Sequence, residues 1–225
     1  MHVVILPGLD GTGYLLGDLA EQLSLAHEVT VIDYPADVCR YEDLFDHLSA
    51  CLPREDYLIV AESFAGPLAV MIAASRPVGL KGIVFAATFA RRPRNIPVSF
   101  ARLLHLLPLR SSFFARLAQP FVMGRWTNDT FTRNFTHVLK TALPATLVGR
   151  LEAVHAVDVT QILPDIAVPC IYLRARHDLI VPAHAARDFT PHMAAHYDLE
   201  GPHFLLQAQP TQSAKHVLDF AARFA

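Results

Sequence analysis

Short apolar runs alternate with amphipathic segments in the first 90 residues and again after residue 160. The runs contain few polar positions, which is typical of strands buried on both faces of a parallel sheet. Strands joined by helical crossovers predict one parallel sheet with helices on both faces. The predicted strands lie near 2–7, 28–34, 57–62, 80–88, 168–174 and 196–200, and the predicted helices near 14–25, 40–51, 64–76, 182–190 and 210–224.

The alternation stops after the fourth predicted strand, where four helix-like segments follow one another. The first places apolar residues at i, i+3, i+4 and i+7 between 100 and 107, which predicts one apolar helix face. Ser111, Asn128 and Pro144 are residue types suited to begin the other three. The predicted domain division is an α/β core of residues 1–90 and 160–225 and a four-helix cap of residues 91–159.

The third predicted strand ends in Ala61-Glu62-Ser63-Phe64-Ala65, and Ala-rich helical sequence follows at once. A sharp turn from strand to helix exposes its central serine and leaves room only for small side chains two positions away on either side. The usual motif has glycine at both positions, whereas this chain has alanine. The pattern predicts Ser63 as a nucleophile. The alternative is a surface serine in an ordinary turn.

A nucleophilic serine needs a histidine base and a carboxylate that orients the base. Asp178 follows the fifth predicted strand and His203 follows the sixth, and open α/β sheets place their sites at the carboxyl ends of the strands. We therefore predict Ser63, Asp178 and His203 as the catalytic residues. His192 and His196 have a spacing that metal ligands use, but their segment has the pattern of a helix end, so we predict no metal site.

The first predicted strand stops at a segment with three glycines, residues 7–13. Glycine lets the backbone approach a substrate without obstruction by a Cβ. Two backbone N–H groups must point at the oxyanion that develops during acyl transfer, and we predict those of Leu9 and Phe64. The alternative is a phosphate-binding loop, but no lysine follows the glycines and their spacing is not Gly-x-Gly-x-x-Gly.

Over essentially its whole length the chain resembles the α/β-hydrolase-fold serine hydrolases. Segments 6–13, 61–65, 177–182 and 201–203 carry the resemblance. The resemblance implies the sheet order 2-1-3-4-5-6. It indicates the catalytic machinery better than the substrate, because the family includes esterases, thioesterases and acyltransferases. Many relatives have His-Gly where this chain has Pro7-Gly8, so any role of that histidine is absent. We expect no metal or organic cofactor.

Charge is distributed unevenly, although the chain has a formal net charge of −2. Residues 91–150 contain ten basic residues and one acid, whereas the remainder contains nine basic residues and twenty acids. A basic cap favours an anionic partner: an acidic acyl carrier protein, a coenzyme A moiety, a carboxylate-bearing ester or an anionic membrane surface. The alternative is that these side chains pair with the acidic core or are solvated. Arg91, Arg92 and Arg94 are the predicted partner contacts.

Composition excludes several classes of protein. Hydrophobic residues form 52% of the chain, which argues against disorder. No apolar stretch approaches the ~18 residues that a bilayer span requires, and no targeting signal is evident, so we expect a cytoplasmic protein without stable membrane insertion. We expect no nucleic-acid partner. The three cysteines lack metal spacing and predict reduced thiols.

These observations predict a serine hydrolase that cleaves small-molecule carboxylic esters through an acyl-enzyme on Ser63, with an apolar acyl pocket under the cap. Phe89, Trp126 and Phe131 are the predicted substrate contacts. Glu62 adjoins Ser63, but strand alternation points it away, so we expect it to form a structural hydrogen bond. One alternative is a carrier-protein- or CoA-linked acyl ester or thioester hydrolase, similar to the pimeloyl-carrier-protein methyl ester esterases. Others are an acyltransferase and a catalytically silent binding protein.

Overall fold

A parallel sheet of six strands forms the centre of the structure, a computed structural model that describes residues 1–95 and 110–224. The strand order is β2-β1-β3-β4-β5-β6, and every neighbouring pair is parallel. The predicted number of strands, their direction and their order are confirmed. The strands are β1 (His2–Leu6), β2 (Glu28–Val31), β3 (Tyr57–Glu62), β4 (Leu80–Ala86), β5 (Cys170–Ala175) and β6 (Ala195–Leu199).

In the described residues, α-helices lie in four of the connections between strands, and two more follow the last strand. They are α1 (Gly17–Ser24), α2 (Tyr41–Cys51), α3 (Ala65–Ala74), α4 (Ser112–Val122), α5 (Asp129–Thr141), α6 (Pro144–Ala156), α7 (Leu205–Ala208) and α8 (Pro210–Ala221). The single helix predicted near 182–190 is instead two short 3₁₀ helices, Ala183–Asp188 and Thr190–His192. Pro191 lies in the first turn of the second of them and has no N–H to donate, so a single α-helix cannot continue through this position with its full set of hydrogen bonds.

Both faces of the central strands are covered, which explains why these strands contain few polar residues. Every residue of β1 and β3 is buried. Successive side chains of β1 point to opposite faces: Val3 and Ile5 share a core with α1 and α8, and Val4 and Leu6 share one with α2 and α3. The central strands are therefore held rigidly, and the loops at their carboxyl ends have a fixed base.

An insert of helices lies between β4 and β5, and the described part of it contains α4, α5 and α6. These helices begin at the residue types singled out in the sequence. Ser111 Oγ accepts from the N–H of Phe114 at 3.0 Å, and Asn128 Oδ1 accepts from the N–H of Phe131 at 2.8 Å. Pro144 opens α6. The amphipathic segment predicted at 100–107 lies outside the described residues, and the two-domain division stays a prediction.

The insert has an apolar core of its own, which meets the sheet domain through the loop after β6. Phe131 and Phe135 stack at 5.5 Å, and both rings contact Phe204, at 5.7 and 5.8 Å. The insert is therefore attached next to the carboxyl ends of the strands. None of the helices in the described ranges combines the length and the apolar character that a membrane crossing needs.

Candidate active site

Ser63 lies in the tight turn between β3 and α3, in a backbone conformation that is unusual for a residue with a Cβ. Its φ is +50°, in the left-handed region, which costs about 1–3 kcal/mol in a non-glycine residue. The neighbouring segment holds this turn in place. The N–H of Ser63 donates to Ala86 O at 3.0 Å, and Ser63 O accepts from Thr88 Oγ1.

The small residues around the turn are needed for space. Ala61 and Ala65 are both fully buried. The tightest position is Gly66, where a Cβ would lie 2.0 Å from Thr88 Oγ1. The turn therefore accepts alanine where glycine is usual and requires glycine one residue further along. Gly66 lies three positions after Ser63, outside the usual motif, so the motif alone gave no sign that glycine is needed there.

Ser63, His203 and Asp178 form one hydrogen-bonded chain at the carboxyl end of the sheet. Ser63 Oγ lies 2.9 Å from His203 Nε2, and His203 Nδ1 lies 2.8 Å from Asp178 Oδ2. The other carboxylate oxygen, Asp178 Oδ1, accepts from the N–H groups of Ile180 and Val181, each at 2.8 Å. These two bonds orient the carboxylate, which in turn orients the imidazole. The geometry allows His203 to accept a proton from Ser63.

Burial and the neighbouring carboxylates shift the pKa of His203 in opposite directions. Burial lowers the pKa of the imidazole, but the charge of Asp178, the hydrogen bond to it and the charge of Glu62 outweigh burial, so the pKa is raised overall. Only the neutral imidazole can accept a proton. His203 therefore reaches its proton-accepting form at a higher pH than an ordinary histidine.

Leu9 and Phe64, the predicted oxyanion donors, both border the space above Ser63. Within the described residues, neither backbone N–H donates a hydrogen bond to another protein group. The Gly8–Leu9 peptide is fixed from its other side, because the N–H of Gly11 donates to Gly8 O at 3.0 Å. The C=O and N–H of a trans peptide point in opposite directions, so the Leu9 N–H points away from Gly11.

Comparison with known proteins identifies the architecture. No known family model matches the chain, and no curated protein matches its sequence. Solved structures do match. An esterase from Exiguobacterium antarcticum superimposes with a TM-score of 0.85 at 13% identity, over 98% of this chain and 91% of that chain. An enol-lactonase from Burkholderia xenovorans LB400 superimposes with a TM-score of 0.83 at 19% identity, with the same coverage.

A bromoperoxidase from Bacillus anthracis also matches, with a TM-score of 0.84 at 15% identity, over 98% of this chain and 91% of that chain. Agreement over nearly the whole of each chain decides the architecture. The chain has the α/β-hydrolase fold. Identities this low show the fold alone, and one fold can support many different reactions. The reaction that this protein can catalyse depends on its own side chains.

A cavity of about 380 Å³ lies above Ser63 in the hydrolase fold, between the sheet domain and the insert. The described side chains that line it are almost all apolar, and many come from α4, α5 and α6. Asp10 and His203 are the titratable ones among them. Apolar lining residues include Phe89, Phe114, Phe135, Leu139, Val148 and Phe204.

The three predicted substrate contacts differ in position. Phe89 lines the cavity, whereas Trp126 and Phe131 are not among its described lining residues, and all three substrate contacts stay predictions. Phe131 faces the core of the insert, one helical turn before Phe135, which does line the cavity. The ring of Trp126 lies 5.3 Å from that of His177, and Trp126 packs partly against the core of the insert.

Two of the three arginines predicted to contact a partner molecule form hydrogen bonds within the chain. Arg91 donates twice to Asp188, at 3.0 and 2.9 Å, and Arg94 donates to two backbone carbonyls, each at 2.9 Å. The side chain of Arg92 is exposed. Arg150, which we counted in the basic cap, is only 1% exposed. The surface of the insert is therefore less basic than its composition suggests.

Glu62 lies beside the site rather than away from it. It is buried, and Gln207 Nε2 donates to its Oε2 at 3.0 Å, so the expected structural hydrogen bond is present. A Cβ placed on Gly8 would lie 3.8 Å from Glu62 Oε2 and 4.0 Å from Ser63 Cβ. Burial raises the pKa of Glu62 to about 7. Its carboxyl group therefore changes charge near neutral pH, close to His203.

A group of metal-binding character lies elsewhere. In the described ranges, the three side chains whose ligand atoms lie within 4.8 Å of one another are His2, Glu28 and Glu55. They lie at the amino ends of β1, β2 and β3, the opposite edge of the sheet from Ser63. Both glutamates are exposed, and His2 Nε2 lies 2.8 Å from Thr30 Oγ1. This group has no part in the site around Ser63.

Proposed function

We propose that the protein is a serine hydrolase that cleaves carboxylic esters through an acyl-enzyme on Ser63. The observation that carries the proposal is the hydrogen-bonded chain of Ser63, His203 and Asp178 beneath an apolar cavity. The left-handed backbone of Ser63 adds support, because strain of this kind is concentrated at active sites.

In the proposed reaction, Ser63 Oγ attacks the acyl carbonyl carbon while His203 Nε2 takes the hydroxyl proton. Asp178 stabilises the resulting imidazolium, and the N–H groups of Leu9 and Phe64 donate to the oxyanion. As the tetrahedral intermediate collapses, the ester C–O bond breaks and His203 returns the proton to the leaving alcohol. Water, activated by the same imidazole, then attacks the acyl-enzyme and releases the acid.

The cavity indicates which part of the substrate it holds. Its volume of about 380 Å³ falls at the lower end of the range of small-molecule sites, roughly 300–1,000 Å³. An apolar acyl chain would replace water along an apolar wall, which is favourable. Burial raises the pKa of Asp10, so a negative charge in its part of the cavity is disfavoured. We propose a neutral, apolar acyl group as substrate.

Covalent labelling tests the proposal. A fluorophosphonate probe should label the wild-type protein, and Ser63→Ala should abolish both labelling and hydrolysis of a p-nitrophenyl ester series, with a loss of about 10⁴-fold or more. Ser49→Ala changes an exposed serine on α2 and serves as the matched control. A folded wild-type protein that is unlabelled and inert towards every ester would instead favour a binding protein.

A second candidate is hydrolysis of acyl esters or thioesters attached to an acidic carrier protein or coenzyme A. The observation that favours it is a groove lined by Arg91, Arg92 and Arg94, which adjoins the cavity at Pro93. Arg92→Glu is the sharpest test, since reversal of the other two would also break contacts within the chain. For the carrier-linked candidate, this variant should lower kcat/KM for carrier-bound substrate only, and high salt should do the same. Equal effects on free esters would exclude it.

A further inference from the structure

Arg150 is the largest of the fully buried side chains, with only 1% of its surface exposed. It belongs to α6 of the insert. No carboxylate within the described ranges lies at ion-pair distance from its guanidinium group. A buried charge is costly unless its donors are all well used. Such a residue is hard to explain by packing alone.

The guanidinium group donates to three backbone carbonyls in two different loops. Nη1 donates to Leu9 O at 3.0 Å, Nη2 to Pro35 O at 3.0 Å and Nε to Val38 O at 3.1 Å. Leu9 belongs to the loop after β1, and the other two belong to the loop after β2. One side chain of the insert thus connects both loops with α6.

The surroundings leave a closely fitted space for this side chain. A Cβ on Gly11, whose φ is +74°, would lie 2.1 Å from Arg150 Nη1. One residue before Arg150, a Cβ on Gly149 would lie 2.7 Å from Cys39 Sγ. Gly11 therefore allows the loop after β1, and Gly149 the loop after β2, to approach α6 closely enough for the three hydrogen bonds.

Three successive carbonyls of the loop after β1 are held by separate donors. Tyr34 Oη donates to Pro7 O at 3.0 Å, the N–H of Gly11 donates to Gly8 O at 3.0 Å, and Arg150 donates to Leu9 O. Between these fixed groups lies the N–H of Leu9, which has no acceptor in the described part of the protein. The hydrogen bonds to the carbonyls on either side of it hold this unpaired donor in a fixed direction beside Ser63.

We propose that Arg150 is a positioning residue for the oxyanion hole: it holds the Leu9 carbonyl so that the Leu9 N–H stays aligned with the oxyanion. The inference rests on the proposed function of Ser63. Arg150 touches neither the reacting atoms nor the cavity. The same helix lines the cavity through Leu147, Leu151 and Val154. The insert therefore contributes to the reaction itself as well as to the acyl pocket.

Arg150→Met removes the three donors and keeps an apolar stem of similar length. For a p-nitrophenyl ester we expect kcat to fall about 10–100-fold, less than the ~10²–10³-fold loss of an entire oxyanion donor, with KM nearly unchanged. The affinity for a trifluoromethyl ketone, whose adduct with Ser63 carries the oxyanion, should fall by a similar factor. Arg133→Met, an exposed change on α5, is the matched control and should alter neither quantity.

Arg150→Lys provides the second variant in case Arg150→Met does not fold. Lysine keeps the charge but lacks the planar fork that reaches three carbonyls, so kcat and ketone affinity should fall together, by less than in Arg150→Met. A folded variant with unchanged kcat, or with lower kcat and unchanged ketone affinity, would overturn the proposal. A wild-type protein that fluorophosphonate does not label would overturn the function of Ser63 instead.

Discussion

The floor and the walls of the cavity are held by different kinds of interaction. The floor consists of Ser63 and His203 together with Asp178, which supports the imidazole from behind without lining the cavity; the three come from separate loops and meet through hydrogen bonds of 2.9 and 2.8 Å. The walls consist of apolar side chains from α4, α5 and α6, whose contacts have no preferred direction. Changes in the floor should therefore affect chemistry on every substrate, whereas changes in the walls should affect which substrates fit.

Asp178→Asn should give the largest effect on the floor short of removing the nucleophile. The amide cannot stabilise the imidazolium, so kcat should fall about 10⁴-fold while KM changes little. Because the charge of Asp178 raises the pKa of His203, the low-pH limb of kcat/KM should also move to lower pH. A pH profile with two esters of different chain length measures both.

Equal losses on short and long esters are expected for Asp178→Asn, since the floor acts on the ester group that they share. Asp188→Asn changes a half-buried partner of Arg91 that is not among the described lining residues of the cavity, and it is the control. A loss confined to long esters would contradict the division between floor and walls.

Val148→Phe should give an effect of intermediate size on the walls. Val148 is buried and lines the cavity, so a larger side chain there shortens the space for the acyl chain. We expect kcat/KM to fall about 10-fold for long-chain esters and to stay nearly constant for the acetate ester. A tenfold change corresponds to ~1.4 kcal/mol of transition-state free energy. A chain-length series of p-nitrophenyl esters measures this change.

Trp126→Phe is the matched control for the walls, because Trp126 is an aromatic residue of the insert outside the described lining. Its chain-length profile should coincide with that of the wild type. A shift in that profile would support the prediction that Trp126 contacts substrate.

Glu62→Gln should give the smallest kinetic effect and a separate effect on stability. Burial raises the pKa of Glu62 to about 7 from an ordinary 4.5, so the folded protein binds this proton more tightly than the unfolded chain. Its contribution to stability is therefore present at low pH and is lost as pH rises from 4.5 to about 7. A shift of this size corresponds to about 3 kcal/mol.

Urea unfolding at pH 5 and pH 8 should show that loss in the wild type and not in Glu62→Gln. In the variant, the low-pH limb of the kcat/KM profile should also move to a slightly lower pH, because the charge of Glu62 contributes to the raised pKa of His203. Glu42→Gln, at an exposed position on α2, is the control. An identical pH dependence in wild type and variant would show that Glu62 is ionised throughout.

Local signals in the sequence were sufficient for the sheet and for choosing the floor residues. The central strands β1 and β3 are largely apolar and fully buried, and Ser63, Asp178 and His203 each follow a strand whose carboxyl end lies at the same edge. The walls were harder to predict. Phe131 and Phe135 have equivalent positions in an amphipathic pattern, and only the placement of the helix shows that Phe135 faces the cavity.

Arg150 shows the limit of reasoning from charge. A count of charges along the sequence treats every arginine as a surface cation. The sequence does not show which guanidinium group is buried, because burial depends on carbonyl acceptors that distant loops contribute. Its three acceptors lie 112, 115 and 141 residues away along the chain. Glycine at positions 11 and 149 is the only local sign of that close approach, and glycine has many other uses.

The left-handed backbone of Ser63 has a consequence for protein engineering. Glycine adopts that conformation without a Cβ penalty, so Ser63→Gly should release local strain and raise the melting temperature while it removes the proposed nucleophile. Selection for thermal robustness alone would therefore tend to discard the hydroxyl. A library screened for heat resistance needs a simultaneous screen for turnover if this residue is to survive.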